Sequence, residues 1–377
     1  MKKRTKRIFG GGFIVVIALL TPLIFIACSS FGTLPNDDER LRLKESRQYV
    51  YEESRFRNRV DGLYQAMSER LDYTSALWNM FTAEGTSPDD ELPVIKPNLD
   101  VFLAPTSKAK VIWFGHSTFM LNINEKVVLV DPVLSDYAAP VFFFSRRWQA
   151  PPLQLEELPP VDYIVISHDH YDHLDMPSVK FFADKGTKFL VPLGVGSHLR
   201  GWGIPAENVI EQDWWQASTH DGIQFRTTPA QHFSGRNGVD QNATLWASWV
   251  IKTDSVSLFF SGDTGYDIHF KVIGDKYGPF DMAFMESGQD KEAWKEIHML
   301  PDDWAKASAD LQAKAYMPLH WGLFTLSLHP WNEPIDRLYL EHQNGAINLV
   351  SPVQGEIVEI GTEYEQKVWW GTLKEQP

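Results

Sequence analysis

Apolar positions along the chain fall into four regimes. Residues 8–27 are an almost unbroken apolar run behind the basic stretch MKKRTKR. Residues 29–58 are polar and charged with no sustained period, which predicts a tether lying over a folded domain. From 59 to 81, Val60, Leu63, Tyr64, Met67, Leu71 and Leu77 recur at helical spacing. That predicts an amphipathic helix, ended by GTSPDDELP, whose apolar stripe either packs on the main domain or walls a substrate entrance. From Lys108 onward short apolar runs alternate with helical patterns. KVIWFGHSTFMLNINEKVVLVDPVL reads as two strands around an Asn-Glu turn, and residues 161–166 as a buried strand. A helix over 177–185 follows, with Pro177 near its start and Gly186 past its end. Strands are predicted at TKFLVP and near Val209, Ile223, Trp246, Leu258 and Met282. A helix at 301–312 has Asp302 and Asp303 suited to its N-terminal dipole. AYMPLH, the helix PIDRLYLEHQN and the strands INLVSP and EIVEIG close the domain. This alternation predicts an α/β fold. It divides the chain into 1–27, 28–58, 59–104, a main domain at 105–362 and a tail at 363–377 that carries no pattern.

Composition changes two points. At 44% hydrophobic and 13% aromatic, the chain can bury a substantial core and is globular. The formal net charge is -14, and without the five basic residues of 1–27 it is -19. Such a surface repels polyanions and argues against a nucleic-acid partner, since phosphate-backbone affinity needs clustered Lys and Arg. The N-terminal run reads as an export signal or a membrane anchor. It ends in IFIAC followed by Ser29 and Ser30, which resembles a bacterial lipoprotein cleavage box with Phe25 where Leu is usual. Cys28 is the sole cysteine, which fits a residue kept for lipid attachment and excludes a disulfide within the chain. Lipoprotein and uncleaved anchor both predict a membrane-tethered protein outside the cytoplasm; by resemblance to sorting rules, the lipoprotein faces the periplasm.

The candidate chemistry lies at the end of the strand at 161–166, where SHDHYDHLD places His168, His170, Asp172 and His173 within six positions. Imidazole nitrogens and a carboxylate oxygen are what a borderline-soft divalent ion takes, and a loop after a strand can turn neighbouring side chains onto one point. His232, Asp263 and His320 each follow a later apolar run, where α/β folds gather their ligands.

His-x-His-x-Asp-His resembles the signature of the metallo-β-lactamase superfamily of hydrolases. That resemblance implies a four-layer αββα sandwich with an N-terminal signal or anchor and a helical extension. It also implies two divalent metals, one held by His168, His170 and His232, the other by Asp172, His173 and His320, with Asp263 bridging. His116 and Asp131 would be supports that orient ligands. Zinc is the default for a His-rich set without thiolate, and iron or manganese suit the same ligands. The segments WFGHST, VDPVLS, VIEQDWW, TPAQH, FFSGDTGY and HWGLF further resemble the N-acylphosphatidylethanolamine-hydrolysing phospholipases D and their bacterial relatives. A departure lies at FMESGQD, where that branch usually has Pro-Ile-Gly-Ala-Tyr, so Glu286 brings a carboxylate the relatives lack.

Two cations sharing a site lower the pKa of a water between them and stabilise both oxygens of an in-line displacement, which suits a phosphodiester. The expected function is therefore metal-dependent hydrolysis of a phospholipid phosphodiester, with Asp172 and Asp263 catalytic. A lactonase or other ester hydrolase of the same fold is the alternative, and a non-catalytic envelope binding protein a third. His298 is either a substrate contact, as the relatives' matching His implies, or an ordinary loop residue. In VFFFSRRWQAP, Phe143 with Arg146 and Arg147 reads as an acyl- and phosphate-facing patch or as core with surface ion pairs. His198, His220, His269, His329 and His342 read as surface or packing residues.

Overall fold

The computed structural model describes residues 28–70, 82–141, 144–288 and 291–371. Among the described residues fifteen strands occur in chain order: β1 (Tyr49–Val50), β2 (Arg55–Phe56), β3 (Lys110–Trp113), β4 (Phe119–Ile123), β5 (Lys126–Val130), β6 (Tyr163–Val165), β7 (Lys188–Pro192), β8 (Val209–Gln212), β9 (Ala217–His220), β10 (Ile223–Thr228), β11 (Ser248–Lys252), β12 (Ser257–Phe260), β13 (Met282–Glu286), β14 (Tyr316–Leu319) and β15 (Ile357–Glu359). Beyond the hairpin β1–β2, they form a seven-stranded sheet in the order β15-β3-β4-β5-β6-β7-β8 and a six-stranded sheet in the order β14-β13-β12-β11-β10-β9. Each sheet has a parallel part: β5–β6, β6–β7 and β7–β8 in one, β12–β13 and β13–β14 in the other.

The period-2 alternation of each strand assigns its two faces. Val111, Trp113, Phe119, Leu121, Val128 and Val130 of the first sheet point into a shared core with Phe225, Trp249, Leu258, Phe260 and Phe284 of the second. Phe119 stacks on Phe284 across this seam, with ring centroids 4.3 Å apart. The intervening residues Ile112, Met120, Leu129, Ile164 and Phe189 face the opposite way, into a core with the helices Met176–Phe181 and Val195–Gly201. On the outer side of the second sheet lie His269–Tyr277 and Pro301–Leu311, which bury Phe270, Ile273, Trp304 and Leu311. Helix, sheet, sheet, helix is the four-layer sandwich. Strands buried on both faces read as continuous apolar runs, as the sequence does.

The N-terminal segment is more ordered than its composition predicts. Helix Asp37–Leu43 has a capping box in which Asn36 and Glu39 satisfy each other's backbone N–H groups, and Leu43 is buried. The amphipathic helix appears as Leu63–Arg70 with Leu63 and Met67 buried; of the rest of its expected span, residues 59–62 form bends and turns and 71–81 lie outside the described residues. INLVSP makes only a single bridge, Leu349 to Tyr316, and no strand. The region after Gly361 carries no sequence pattern yet inserts Trp369 and Trp370 beside Trp321. The expected signal or anchor at 1–27 lies outside the described residues, among which no helix is long and apolar enough to cross a membrane.

Candidate metal centre

The site sits on one rim of the sandwich because its residues all follow the strands that end there. His116 comes after β3, Asp131 after β5, the His168–His173 loop after β6, His232 after β10, Asp263 after β12 and His320 after β14. Three of them, His116, Asp131 and His320, have positive φ values of 50°, 39° and 65°, uncommon for residues with a Cβ. Such backbone costs about 1–3 kcal/mol each and persists only where surrounding bonds over-determine it. Here the His116 N–H donates to the Trp321 carbonyl at 2.9 Å and the His320 N–H to the His116 carbonyl at 3.1 Å. Gly262, in the turn before Asp263, sits so close to Ser167 that a Cβ there would lie 2.8 Å from the Ser167 Cβ.

Two main clusters and a third that overlaps them result. His168, His170, His232 and Asp263 bring ligand atoms within 4.8 Å of one another, so do His116, Asp172, His173 and His320, and so do Glu286 and His298 with Asp263 and His320. In the first, His168 Nε2 and His232 Nε2 lie 2.9 and 3.2 Å from His170 Nδ1. In the second, the Nε2 atoms of His173 and His320 lie 3.4 and 3.3 Å from Asp172 Oδ2. Asp263 Oδ2 stands between the clusters, 3.9 Å from His168 Nε2, 3.8 Å from His232 Nε2, 3.2 Å from His173 Nε2 and 3.0 Å from His320 Nε2. Thus one carboxylate faces both ligand sets, as a bridging ligand must.

These residues fit divalent ions on grounds independent of any family. Asp263 Oδ1 is buried without a hydrogen-bond partner among the described residues, and His173 Nε2 and His320 Nε2 meet only the carboxylates of Asp172 and Asp263, an arrangement that a cation between them would complete. Burial holds His168, His170 and His232 below the ordinary imidazole value, keeping them in the neutral form that ligates. Burial also pulls His173 and His320 down, but the Asp263 and Asp172 carboxylates outweigh it and raise both, His320 to about 10. Burial works against ionisation of Asp172 and Asp263, and the neighbouring imidazoles overcome it to hold both well below the usual carboxylate range. In the metal-free protein, protons on His173 and His320 therefore stand where a cation would, and binding one releases them.

The supports orient each ring. Asp131 Oδ2 lies 2.7 Å from His173 Nδ1, while its Oδ1 accepts from the Ser167 N–H at 2.7 Å. His232 Nδ1 faces the Ile297 carbonyl at 2.9 Å. His116, expected only as a support, has its Nε2 2.9 Å from Asp172 Oδ2, and burial lowers its pKa to about 4, so it is neutral. Three residues without a legible role complete the frame. Asn58 closes a two-way bond with the His232 backbone at 2.7 and 3.1 Å. Asp169, set between two ligands, turns away from them and accepts from the Gly235 N–H and the Thr244 hydroxyl, both at 2.8 Å. Arg236 donates to the carbonyls of Asp169 and Leu174, gripping both ends of the ligand loop.

Above the ligands is a cavity of about 230 Å³, floored by His170, Asp172, His232, Asp263 and His320. Its walls are mostly apolar: Met67, Phe233, Trp294, Ile297 and Leu326, with His298 the one further polar side chain. Met67 settles the helix of the extension as a wall of the entrance as well as packing, and the ion pairs Arg59–Asp267 and Arg70–Glu296 fasten its two ends to the main domain. Glu286, expected at the substrate, is not among the cavity's lining residues. At 2% exposed, its Oε2 lies 2.6 Å from His298 Nδ1 and its Oε1 accepts from the Met299 N–H. Burial pushes the Glu286 carboxyl up, with His298 opposing. Arg147 is likewise turned inward, donating to the Leu134 carbonyl at 3.0 Å, because burial of its stem leaves the guanidinium no path to the cavity. Arg146 is exposed and does not line the cavity, and Phe143 lies outside the described residues.

Comparison with known proteins agrees with this geometry. The Beta-lactamase superfamily domain matches residues 126–321. The chain is 34% identical to N-acyl-phosphatidylethanolamine-hydrolyzing phospholipase D 1 of Caenorhabditis elegans over 264 residues, covering 66% of this chain and 74% of that protein. It is 50% identical to outer membrane protein RomA of Klebsiella pneumoniae over 102 residues, 27% of this chain and 76% of that one. Among solved structures, Igni18, a metallo hydrolase from Ignicoccus hospitalis, superposes with a TM-score of 0.53 at 21% identity, covering 68% of this chain and all of that one, a likeness that carries the fold. With its sandwich, its ligand loops and these relatives, the chain belongs to the metallo-β-lactamase superfamily of metal-dependent hydrolases.

Proposed function

We propose that this protein cleaves phospholipid phosphodiesters in the manner of a phospholipase D, using two divalent ions, zinc by the character of the ligands, while tethered to a membrane outside the cytoplasm. The observation that carries the reading is Asp263 Oδ2 facing both ligand clusters beneath an apolar-walled cavity. When bound there, the ions activate a water and neutralise charge on the phosphoryl oxygens. The chain's own residues do the rest. Met67, Phe233, Trp294 and Ile297 form apolar walls suited to acyl or glyceryl carbons and exclude bulk water. Glu286 holds His298 by Nδ1, which leaves Nε2 for the cavity. As the water oxygen joins phosphorus and the P–O bond to the departing alcohol breaks, His298 gives that alcohol its proton. The phospholipase D relative supports the substrate class. The name of the outer-membrane relative and the residues around Cys28 support the location.

The test is to assay the purified, zinc-loaded protein against an N-acylated phosphatidylethanolamine, a soluble phosphodiester and a lactone. Phosphodiester cleavage that chelation abolishes and zinc restores is the expected result. Lactone turnover with inert phosphodiesters would replace this reading by that of an ester hydrolase.

A further inference from the structure

Resting on the membrane anchorage proposed above, we infer that the face formed by the loop Gly235–Asp240 and residues Leu34–Pro35 seats against the lipid surface, so that the cavity is held at a fixed height over the bilayer. The starting point is where the described chain begins. Cys28 is exposed, and the next residues are fixed at once. Trp202 Nε1 donates to the Ser29 carbonyl at 3.0 Å, and Arg236 donates to the Ser30 carbonyl through Nε at 3.0 Å and Nη2 at 2.8 Å. Arg236 is itself 5% exposed and lies over the Tyr171 ring at 4.0 Å. The backbone after Ser30 stays in contact with the domain: Gly32 has φ +78°, and a Cβ there would lie 2.2 Å from His198 Nδ1, so only glycine lets the chain run this close. One residue, Cys28, therefore separates held backbone from the apolar run at 8–27. At about 3.5 Å of extended chain per residue, the end of the proposed anchor lies within about 7 Å of Ser29.

A surface so placed must meet lipid, and its side chains suit that. Val239, at the tip of the loop, is 80% exposed, more than any other large apolar side chain among the described residues. It shares a shallow groove with Leu34, 39% exposed, and with Pro35 and Arg55. Two apolar side chains can enter the headgroup boundary while a guanidinium meets phosphate oxygens. The same loop reaches the cavity. Phe233 lines the cavity wall, Arg236 grips the ligand loop, and Val239 faces outward, all within seven residues.

The experiment uses the full chain reconstituted in vesicles of phosphatidylcholine and phosphatidylethanolamine. Val239→Cys and Leu340→Cys each carry a polarity-sensitive maleimide fluorophore, and the unsubstituted chain is labelled in parallel to subtract signal from Cys28. Leu340, 56% exposed on the helix Glu333–Gln343, is the control. The expected result is sedimentation with vesicles, a blue shift at 239 and none at 340. Quenching at 239 by aqueous iodide falls at least about fivefold, since apolar groups seat ~5–10 Å into the headgroup boundary. Sedimentation with a water-exposed probe at 239, or with equal shifts at both positions, overturns the docking face and leaves the anchor standing. Failure to sediment overturns both. No readout depends on turnover, so the hydrolase reading stands or falls separately.

Discussion

Replacing Asp131 by Asn isolates one support of the second ligand cluster. Asp131 has φ +39°, a region that Asn tolerates as well as Asp, so the substitution adds no backbone strain. Its Oδ1 can still accept from the Ser167 N–H. What changes is the atom 2.7 Å from His173 Nδ1: a carboxylate oxygen becomes an amide nitrogen, which donates and cannot accept. His173 Nδ1–H then faces a donor, and the imidazole relieves it by moving its proton to Nε2, the nitrogen that faces Asp263 and Asp172. That tautomer cannot ligate. The lost bond is charge-assisted and worth about 1.5–3 kcal/mol. This agrees with the ~10- to 100-fold loss of metal affinity that removal of such partners causes, which is about 1.4–2.7 kcal/mol. Titration of zinc into the full chain against a competing chelator reads the two sites separately. The expected outcome is one zinc equivalent weakened by that factor and the other, held by His168, His170 and His232, unchanged. Equal weakening of both, or of neither, would refute the reasoning, since Asp131 contacts His173 directly and reaches His168 only through the Ser167 hydroxyl.

Other substitutions probe different links. Asp263→Ala, which removes the carboxylate facing both clusters, should lower turnover at least ~100-fold while the unfolding temperature of the metal-free protein stays within a few degrees. Glu286→Gln should lower kcat by about 10²-fold, the lower end of what a positioned acid contributes, with zinc content unchanged; lost zinc would instead make Glu286 a support of the metals. Phe284→Ala, which empties the inter-sheet stack on Phe119, should cost about 3–5 kcal/mol in urea unfolding. His269 is buried, and burial lowers its pKa from 6.5 to about 4. The unfolded chain takes up this proton first, so its contribution is complete above pH 6.5 and disappears as the pH falls towards 4, about 3 kcal/mol in all. His269→Leu should flatten that part of the curve of urea midpoint against pH.

The fold was legible wherever burial enforced a period. Strands covered on both faces, such as β5 and β7, gave continuous apolar runs that no loop would tolerate. Segments stabilised one at a time by specific partners gave no such signal. Helix Asp37–Leu43 buries only Leu43 and rests on the Asn36–Glu39 box, so a polar composition concealed an ordered element. Strand β9 alternates between exposed and half-buried residues at the sheet edge and has too little apolar content to show a period. Trp369 and Trp370 carry no period either, because each fills one gap beside Trp321.

The ligands were legible for a different reason: a metal demands particular atoms, and seven side chains of the right kind follow strand ends in order. Their supports answer to geometry alone. Asn58 binds backbone, Arg236 binds three carbonyl groups, and neither choice is dictated by residue type. Glu286 shows what residue type alone leaves open. A carboxylate beside a metal site suggests a ligand or a substrate contact, yet β13 ends so that its oxygens turn to His298 Nδ1 and the Met299 N–H. The departure from the relatives' turn therefore leaves the floor of the site intact and changes what stands behind one histidine.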